Sequence, residues 1–471
     1  MRKTFEELDK LKKELNADRL WSWSRVNCTH NSLYEYYLKY ITHEKEDRAD
    51  SIYTVTGGIS HEIIEKYYSG EITKEQMIEE FEDGWVTAFD ISELKFNRSD
   101  SEKNNDIADK YYKNLNHFFK NHTVLPQKVA LEQFVTIKIG DEWYQGYIDA
   151  LTTDENKNYV IIDWKTSSLY VGEKAKNECG QLVMYAMALH QKGIPYDKIR
   201  ICWNFLKYVN VYIKQDDKYI ISWTTVKEEE KSKDVTVDKL FSTYKTSMKA
   251  WAKQLNYSKD DIDILLENIE INLAEGGHCD FSNYIPEDIR EASKLVISKI
   301  NKENKPRQIE RCKIGESLQA NVKSQMKKLG YEESEIFEYL DQLIQTNDVT
   351  CLPKDVQDKY EFSDCYVYVD LTEELLQHWE NYIIETTKMI REKEEEYELT
   401  HNENIWMETQ EDVAKNSFYF ANLCSYSANK HKPYKLYLDN LEKEKNGDIF
   451  GSKPKSSESE EDDMSWLDDL L

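Results

Sequence analysis

GYIDALTTDENKNYVIIDWKTS, residues 146–167, is the stretch whose reading decides the fold. Apolar and polar residues alternate from Trp143 to Leu151, a polar turn follows from Thr153 to Asn158, and a nearly continuous apolar run extends from Tyr159 to Trp164. The first pattern is that of a half-covered strand, the second that of a strand buried on both faces. Side chains alternate along a strand, so Asp163 and Lys165 share a face. A hairpin through Asp154 and Asn158 brings Asp149 beside that face.

Working outward, Val129 to Ile139 alternates as a further strand, and Cys179 to Gln191 is patterned as a helix closed by Gly193 and Pro195. Ile199 to Ile213 reads as one or two more strands. Upstream, residues 1–55 are helical in pattern, with Leu33, Tyr36, Tyr37 and Tyr40 at helical spacing. A helix is expected from Ser60, as its N-cap, to Tyr68, and helical patterning continues with interruptions to about His122. Downstream, 214–306 reads as a charged helical insertion and 307–314 (RQIERCKI) as a short returning strand. The remainder to 445 is mostly helical, with a strand at Tyr366–Val369 and a long helix opening at Thr372. The expected architecture is an α/β core at 56–213, a mixed central sheet flanked by helices, with helical insertions and extensions.

Composition narrows the function. The 471 residues carry 62 Lys+Arg against 89 Asp+Glu, a formal charge of −27. That argues against generic adhesion to nucleic acid or an anionic membrane, but phosphate binding needs only a local basic groove. Eight cysteines without a CxxC pair suggest reduced thiols rather than a disulfide framework. MRKTFEELDKLKKELN (1–16) has no apolar h-region, and no apolar run reaches membrane-spanning length, so a cytosolic protein is expected. The segment 446–471 reads as a disordered acidic tail. Ser456–Leu471 holds seven acidic and no basic residues and ends on an apolar cluster that includes Trp466, Leu467, Leu470 and Leu471. That apolar tip is a candidate docking element for a protein partner.

Two adjacent carboxylates repel, and a divalent cation is their natural occupant; Mg²⁺ takes one or two carboxylates, retained waters and phosphate oxygens. A lysine beside it can hold and polarise an attacking water and offset charge on a phosphate. Few reactions other than phosphodiester hydrolysis want that set. Taken singly, each residue has an ordinary explanation: Asp163 and Lys165 as a strand-end ion pair, His61 as a core or cap histidine, Glu132 as a solvent-facing strand residue, Gln181 and Tyr185 as packing, Arg25 and Arg311 as solvated cations. Their order along the chain speaks against this.

GYIDAL (146–151), IIDWKTS (161–167) and GQLVMYAMAL (180–189) together resemble the RecB-like branch of the PD-(D/E)XK nuclease superfamily, a branch that includes phage recombination exonucleases and CRISPR-adaptation exonucleases. WSWSRVNCTHNSLYEYYLKYI (21–41), GGISHEIIEKYY (57–68) and ALEQFVTIKIG (130–140) match its other motifs in sequence. The resemblance covers about residues 20–213. It implies Asp149 and Asp163 as metal carboxylates, His61 and the Trp164 backbone carbonyl as further ligands, and Lys165 as the catalytic lysine. Glu132 would hold a metal-bound water or a second metal, and Gln181 and Tyr185, four apart on one helix face, would position the DNA backbone or Lys165. Arg25 and Arg311 are candidate phosphate contacts. Many relatives also hold an iron–sulfur cluster through four cysteines; here NLCSYSANKHKPY (422–434) keeps Cys424 but has Ser427 where the second would fall, so no cluster is expected.

The resulting expectation is a Mg²⁺- or Mn²⁺-dependent DNA exonuclease of recombination, repair or end processing. The rivals are a structure- or sequence-specific endonuclease and a non-catalytic DNA- or partner-binding subunit. No GxxxxGK[ST] motif occurs, so any unwinding would fall to a partner.

Overall fold

A computed structural model describes residues 2–48, 51–88, 101–214, 218–268, 272–273, 279–280, 285–299 and 306–447. The tail segment Ser456–Leu471 lies outside the described residues. The chain forms two compact units, one of Met1–Asn210, Arg311–Val356 and Phe362–Leu471, the other of Val211–Glu310 and Gln357–Glu361.

The first unit is built on a mixed sheet, the α/β core read from the sequence. Its strands are β1 (Leu20–Ser22), β2 (Ala130–Ile139), β3 (Glu142–Thr153), β4 (Tyr159–Lys165) and β5 (Ile199–Ile213). β2, β3 and β4 are antiparallel neighbours, whereas β4 and β5 run parallel, with Asp163 beside Trp203 and Lys165 beside Phe205. Asp154 makes the β3–β4 turn: its Oδ1 accepts from the backbone N–H of Asn156 and of Asn158. Strands Arg307–Cys312 and Tyr360–Val369 both pair with β5.

β4 is covered on both faces, as its apolar run implies. Val160, Ile162 and Trp164 pack with Ile63 and Ile64 of the helix Ile52–Ser69 and with Phe81, Leu115 and Phe119. Ile161, on the other face, packs with the helix Gly180–Gln191 and with Trp379 and Ile383 of the helix Glu373–Thr400. Thr372 caps that last helix, accepting from the Leu375 N–H, as its position suggested.

Three local readings change. The helix carrying His61 begins at Ile52 with Ser51 as N-cap, and Ser60 is buried within it. Packing of Ile52, Ile63 and Ile64 carries the helix through Gly57–Gly58. Residues 20–22 are a strand inside a region that reads as helical; three residues are too short to show a period. The charged region 214–306 contains, in the second unit, an antiparallel sheet of Val296–Lys299, β6 (Lys218–Thr224) and β7 (Glu230–Thr236) as well as helices. Among the described residues Ile221 and Val235 are buried in it, packed with Tyr244 and Met248 of the helix Val237–Gln254, and the lysines and glutamates between them mask the two-residue period.

Candidate active site

The pairing of β3 leaves a notch. One edge is paired to β2 almost throughout; the other pairs with β1 at Trp143–Gln145 and with β4 from Ala150 onward. Gly146 to Asp149 lie between these two partners, and the cavity of about 460 Å³ that opens there is lined by Gly146, Asp149, Lys165, Gln181 and Tyr185, with Trp23 from just after β1. Glycine at 146 is required by close approach: a Cβ there would lie 2.5 Å from Cε1 of the Tyr185 ring. Tyr185 thereby seats against β3, and its hydroxyl accepts a hydrogen bond of 3.0 Å from Gln181 Nε2.

Three carboxylates fall on one row across the sheet. Asp149 and Asp163 come directly after the last β3–β4 pair, Ala150 with Ile162. Glu132 sits opposite Asp149, between the pairs Leu131–Ala150 and Gln133–Ile148, at a kink where its own φ is +46°. A left-handed glutamate in mid-strand is a strained conformation of the kind found where a side chain is re-aimed at a functional site.

The acids are not alike. Asp163 pairs with Lys165, Nζ to Oδ2 2.7 Å. Burial opposes the Lys165 ammonium, but the charges and hydrogen bond of Asp163, with Asp149 beyond, outweigh it and hold the group charged. Burial, then the Asp163 charge, pushes Asp149 up to about 8, with Lys165 pulling the other way. Asp149 Oδ2, buried, has no hydrogen-bond donor, whereas Asp163 Oδ2 is taken by the Lys165 ammonium. His61 Nε2 donates to the Trp164 carbonyl at 2.8 Å, and its Nδ1 lies 3.7 Å from Asp149 Oδ2. Burial lowers the His61 pKa, so the ring favours the neutral form that can ligate a metal.

Asp149, Asp163, His61 and the Trp164 carbonyl are thus gathered in one place. Among the described residues no three His, Cys, Asp or Glu side chains close into a ready cage. Here protein groups answer two of the donors instead: the ammonium on Asp163, the imidazole N–H on the carbonyl. A buried carboxylate oxygen without a donor, beside a second carboxylate, is nonetheless what a hard divalent cation takes, with remaining positions left to water and phosphate.

Glu132 is held by Arg2, whose Nε donates to Oε2 at 2.9 Å and whose second nitrogen reaches Oε1 at 3.3 Å. The backbone N–H of Lys3 donates to the Tyr147 hydroxyl at 2.7 Å, so the chain start lies along the cavity mouth. Arg2 was not legible in sequence; nothing at position 2 announces a partner 130 residues away. Glu65, one turn beyond His61, faces the same group: burial and then Glu132 raise its carboxyl pKa. The i, i+4 spacing from His61 was its only sequence signal.

The two candidate phosphate contacts are not among the residues lining the cavity. Arg25 is enclosed by Trp21, Tyr36 and Tyr40 rings and bonded to Tyr36 Oη at 2.9 Å and Glu394 at 3.2 Å. Arg311 donates to Asn210 Oδ1 at 3.2 Å. The 422–434 segment is tied down by Ser427, which donates from N–H and Oγ to the Asp47 carboxylate at 2.7 and 2.6 Å, while Cys424 is buried.

Residues 20–283, more than half of the chain, match the family model of the PD-(D/E)XK nuclease superfamily. No curated protein matches the chain. Among the described residues no helix is long and apolar enough to cross a membrane.

Proposed function

The chain belongs to the PD-(D/E)XK nuclease superfamily, and on that footing we propose that it is a Mg²⁺- or Mn²⁺-dependent deoxyribonuclease, an exonuclease of DNA ends in recombination, repair or end processing in a cytosol. The observation that carries the reading is the row of Glu132, Asp149 and Asp163 with Lys165 paired to its last member. Asp149, Asp163, His61 and the Trp164 carbonyl would hold the cation, which when bound supplies Lewis acidity at the phosphate and acidifies a water.

The chain's own residues supply the rest. Lys165, charged and anchored at the end of β4, orients the attacking water and offsets charge on the phosphoryl oxygens. Gln181 and Tyr185, joined to each other with Tyr185 seated on Gly146, position the strand or Lys165. Glu132 acts on a water or a second cation. No iron–sulfur cluster takes part, and the purified protein is expected to be colourless. A protein partner docking on Trp466, Leu467, Leu470 and Leu471 belongs to the same reading.

The test is a digestion course with end-labelled linear and closed circular DNA, single- and double-stranded, in Mg²⁺, Mn²⁺ or EDTA. Loss of linear DNA with circles spared supports an exonuclease. Cutting of circles makes it an endonuclease, and no metal-dependent loss of either removes the reading.

A further inference from the structure

We propose that a second recess beside Lys165 receives one unpaired nucleobase of the substrate strand, so that the site works on single-stranded DNA or frayed ends. The inference rests on the nuclease reading above and adds the substrate class. The recess holds about 370 Å³ and shares Lys165 and Tyr170 with the Asp149 cavity. That is the small end of the roughly 300–1,000 Å³ range of ligand sites.

Its walls suit a flat aromatic group. Tyr53, Tyr111, Tyr170 and Phe418 line it. Tyr53 packs edge-to-face against Tyr111 at 5.8 Å and Phe418 at 6.2 Å, which fixes these rings before anything enters. Ser168 lies in the same wall, three residues past Lys165; it is 1% exposed and its Oγ has no hydrogen-bond partner. Gly57 lines the recess too, and an added Cβ there would come no nearer than 3.6 Å to Thr166 Oγ1.

Position and charge select the occupant. Lys165 borders both recesses, so a phosphate held at Lys165 leaves an adjoining sugar and base within reach of the aromatic walls. A chain of net charge −27 is poorly served by a broad electrostatic grip on DNA, and stacking is the grip that does not need one. A base in a duplex must leave its stack to enter such a recess, whereas an unpaired base need not. Stacking is also tolerant of base identity, so little sequence preference is expected.

The test uses full-length protein in EDTA and single-stranded oligonucleotides with 2-aminopurine walked through successive positions, with cleavage of the same oligonucleotides followed in Mg²⁺. Fluorescence should change strongly at one position, next to the cleaved bond. Phe418→Ala and Gly57→Leu should each abolish that signal and weaken oligonucleotide binding about tenfold, in the range of single base–aromatic stacks. Leu is a better helix former than Gly, so loss in Gly57→Leu reports a filled recess and not an unfolded helix. A signal equal at every position, or one that survives both substitutions, overturns the proposal. Cleavage with a flat signal removes the base site alone; a positional signal without cleavage in any metal leaves the base site and removes the nuclease reading.

Discussion

Lys165 Nζ lies 2.7 Å from Asp163 Oδ2, two residues back along the same strand, at the point where the β3–β4 ladder ends beside Asp149. The ammonium therefore neutralises a carboxylate that a cation would otherwise occupy. Lys165→Ala should slow hydrolysis by about 10²–10⁴, the range of one general acid–base or electrostatic group. Mn²⁺ affinity by calorimetry should hold or rise, because a competitor for Asp163 has gone. Collapse of Mn²⁺ affinity in this variant would make the lysine structural.

Asp149 supplies a pH signature. Its folded pKa, raised by burial and by Asp163 to about 8, lies above the unfolded value of about 3.9. Its contribution to folding is thus complete below about pH 4 and is lost as pH rises through about 8. Metal-free protein should lose Tm over that window, and Asp149→Asn should flatten the slope and melt higher at the alkaline end. Cation binding needs the carboxylate and releases the proton, so Mn²⁺ affinity of the unaltered protein should strengthen over the same window. Melts in EDTA that keep the full slope in Asp149→Asn would assign it elsewhere.

Arg2 is the cation that sequence reading missed. Its side chain is 75% exposed, so its pair with Glu132 adds little to stability. Arg2→Ala should leave Tm within about 1 kcal/mol equivalent. It should weaken DNA binding and reduce the salt slope by about one if the guanidinium meets a phosphate. An unchanged slope across a salt titration would restrict Arg2 to holding Glu132.

Lys207 is 2% exposed, with Nζ 3.7 Å from the centre of the Tyr111 ring and no hydrogen-bond partner. Burial, then the charge of Lys313, pushes its pKa well down, against the pull of Glu316. The unfolded chain then binds more protons than the folded one, so this group's cost diminishes as pH rises toward the usual lysine range. Lys207→Met should stabilise the protein at neutral pH by about 1–3 kcal/mol, a gain that shrinks in alkaline buffer. Thermal melts at both pH values check it; a destabilised Lys207→Met would show that the amine has a partner of consequence.

The core was legible because it is local. Asp149, Asp163 and Lys165 sit on two strands joined by a short turn, and the two-residue period alone brings them together. His61 was recognisable from its helix motif, although that helix begins eight residues before Ser60 because packing, not Gly57–Gly58, sets its start. What stayed hidden depends on distant chain. The notch exists because β1 pairs with β3 across more than a hundred residues, and Arg2 reaches Glu132 by the same route. Arg25 looked like a phosphate ligand, and only the fold reveals the aromatic rings and Glu394 around it.

The central claim, that this carboxylate row hydrolyses DNA with a divalent cation, turns on Asp163, which pairs with Lys165 and stands beside Asp149. The most direct measurement is Mg²⁺-dependent release of labelled nucleotide from DNA by the unaltered protein and by Asp163→Ala, each shown to be folded by its melting transition. The account predicts cleavage by the first that EDTA stops, and none above background by the second. Cleavage by Asp163→Ala at the unaltered rate would contradict it.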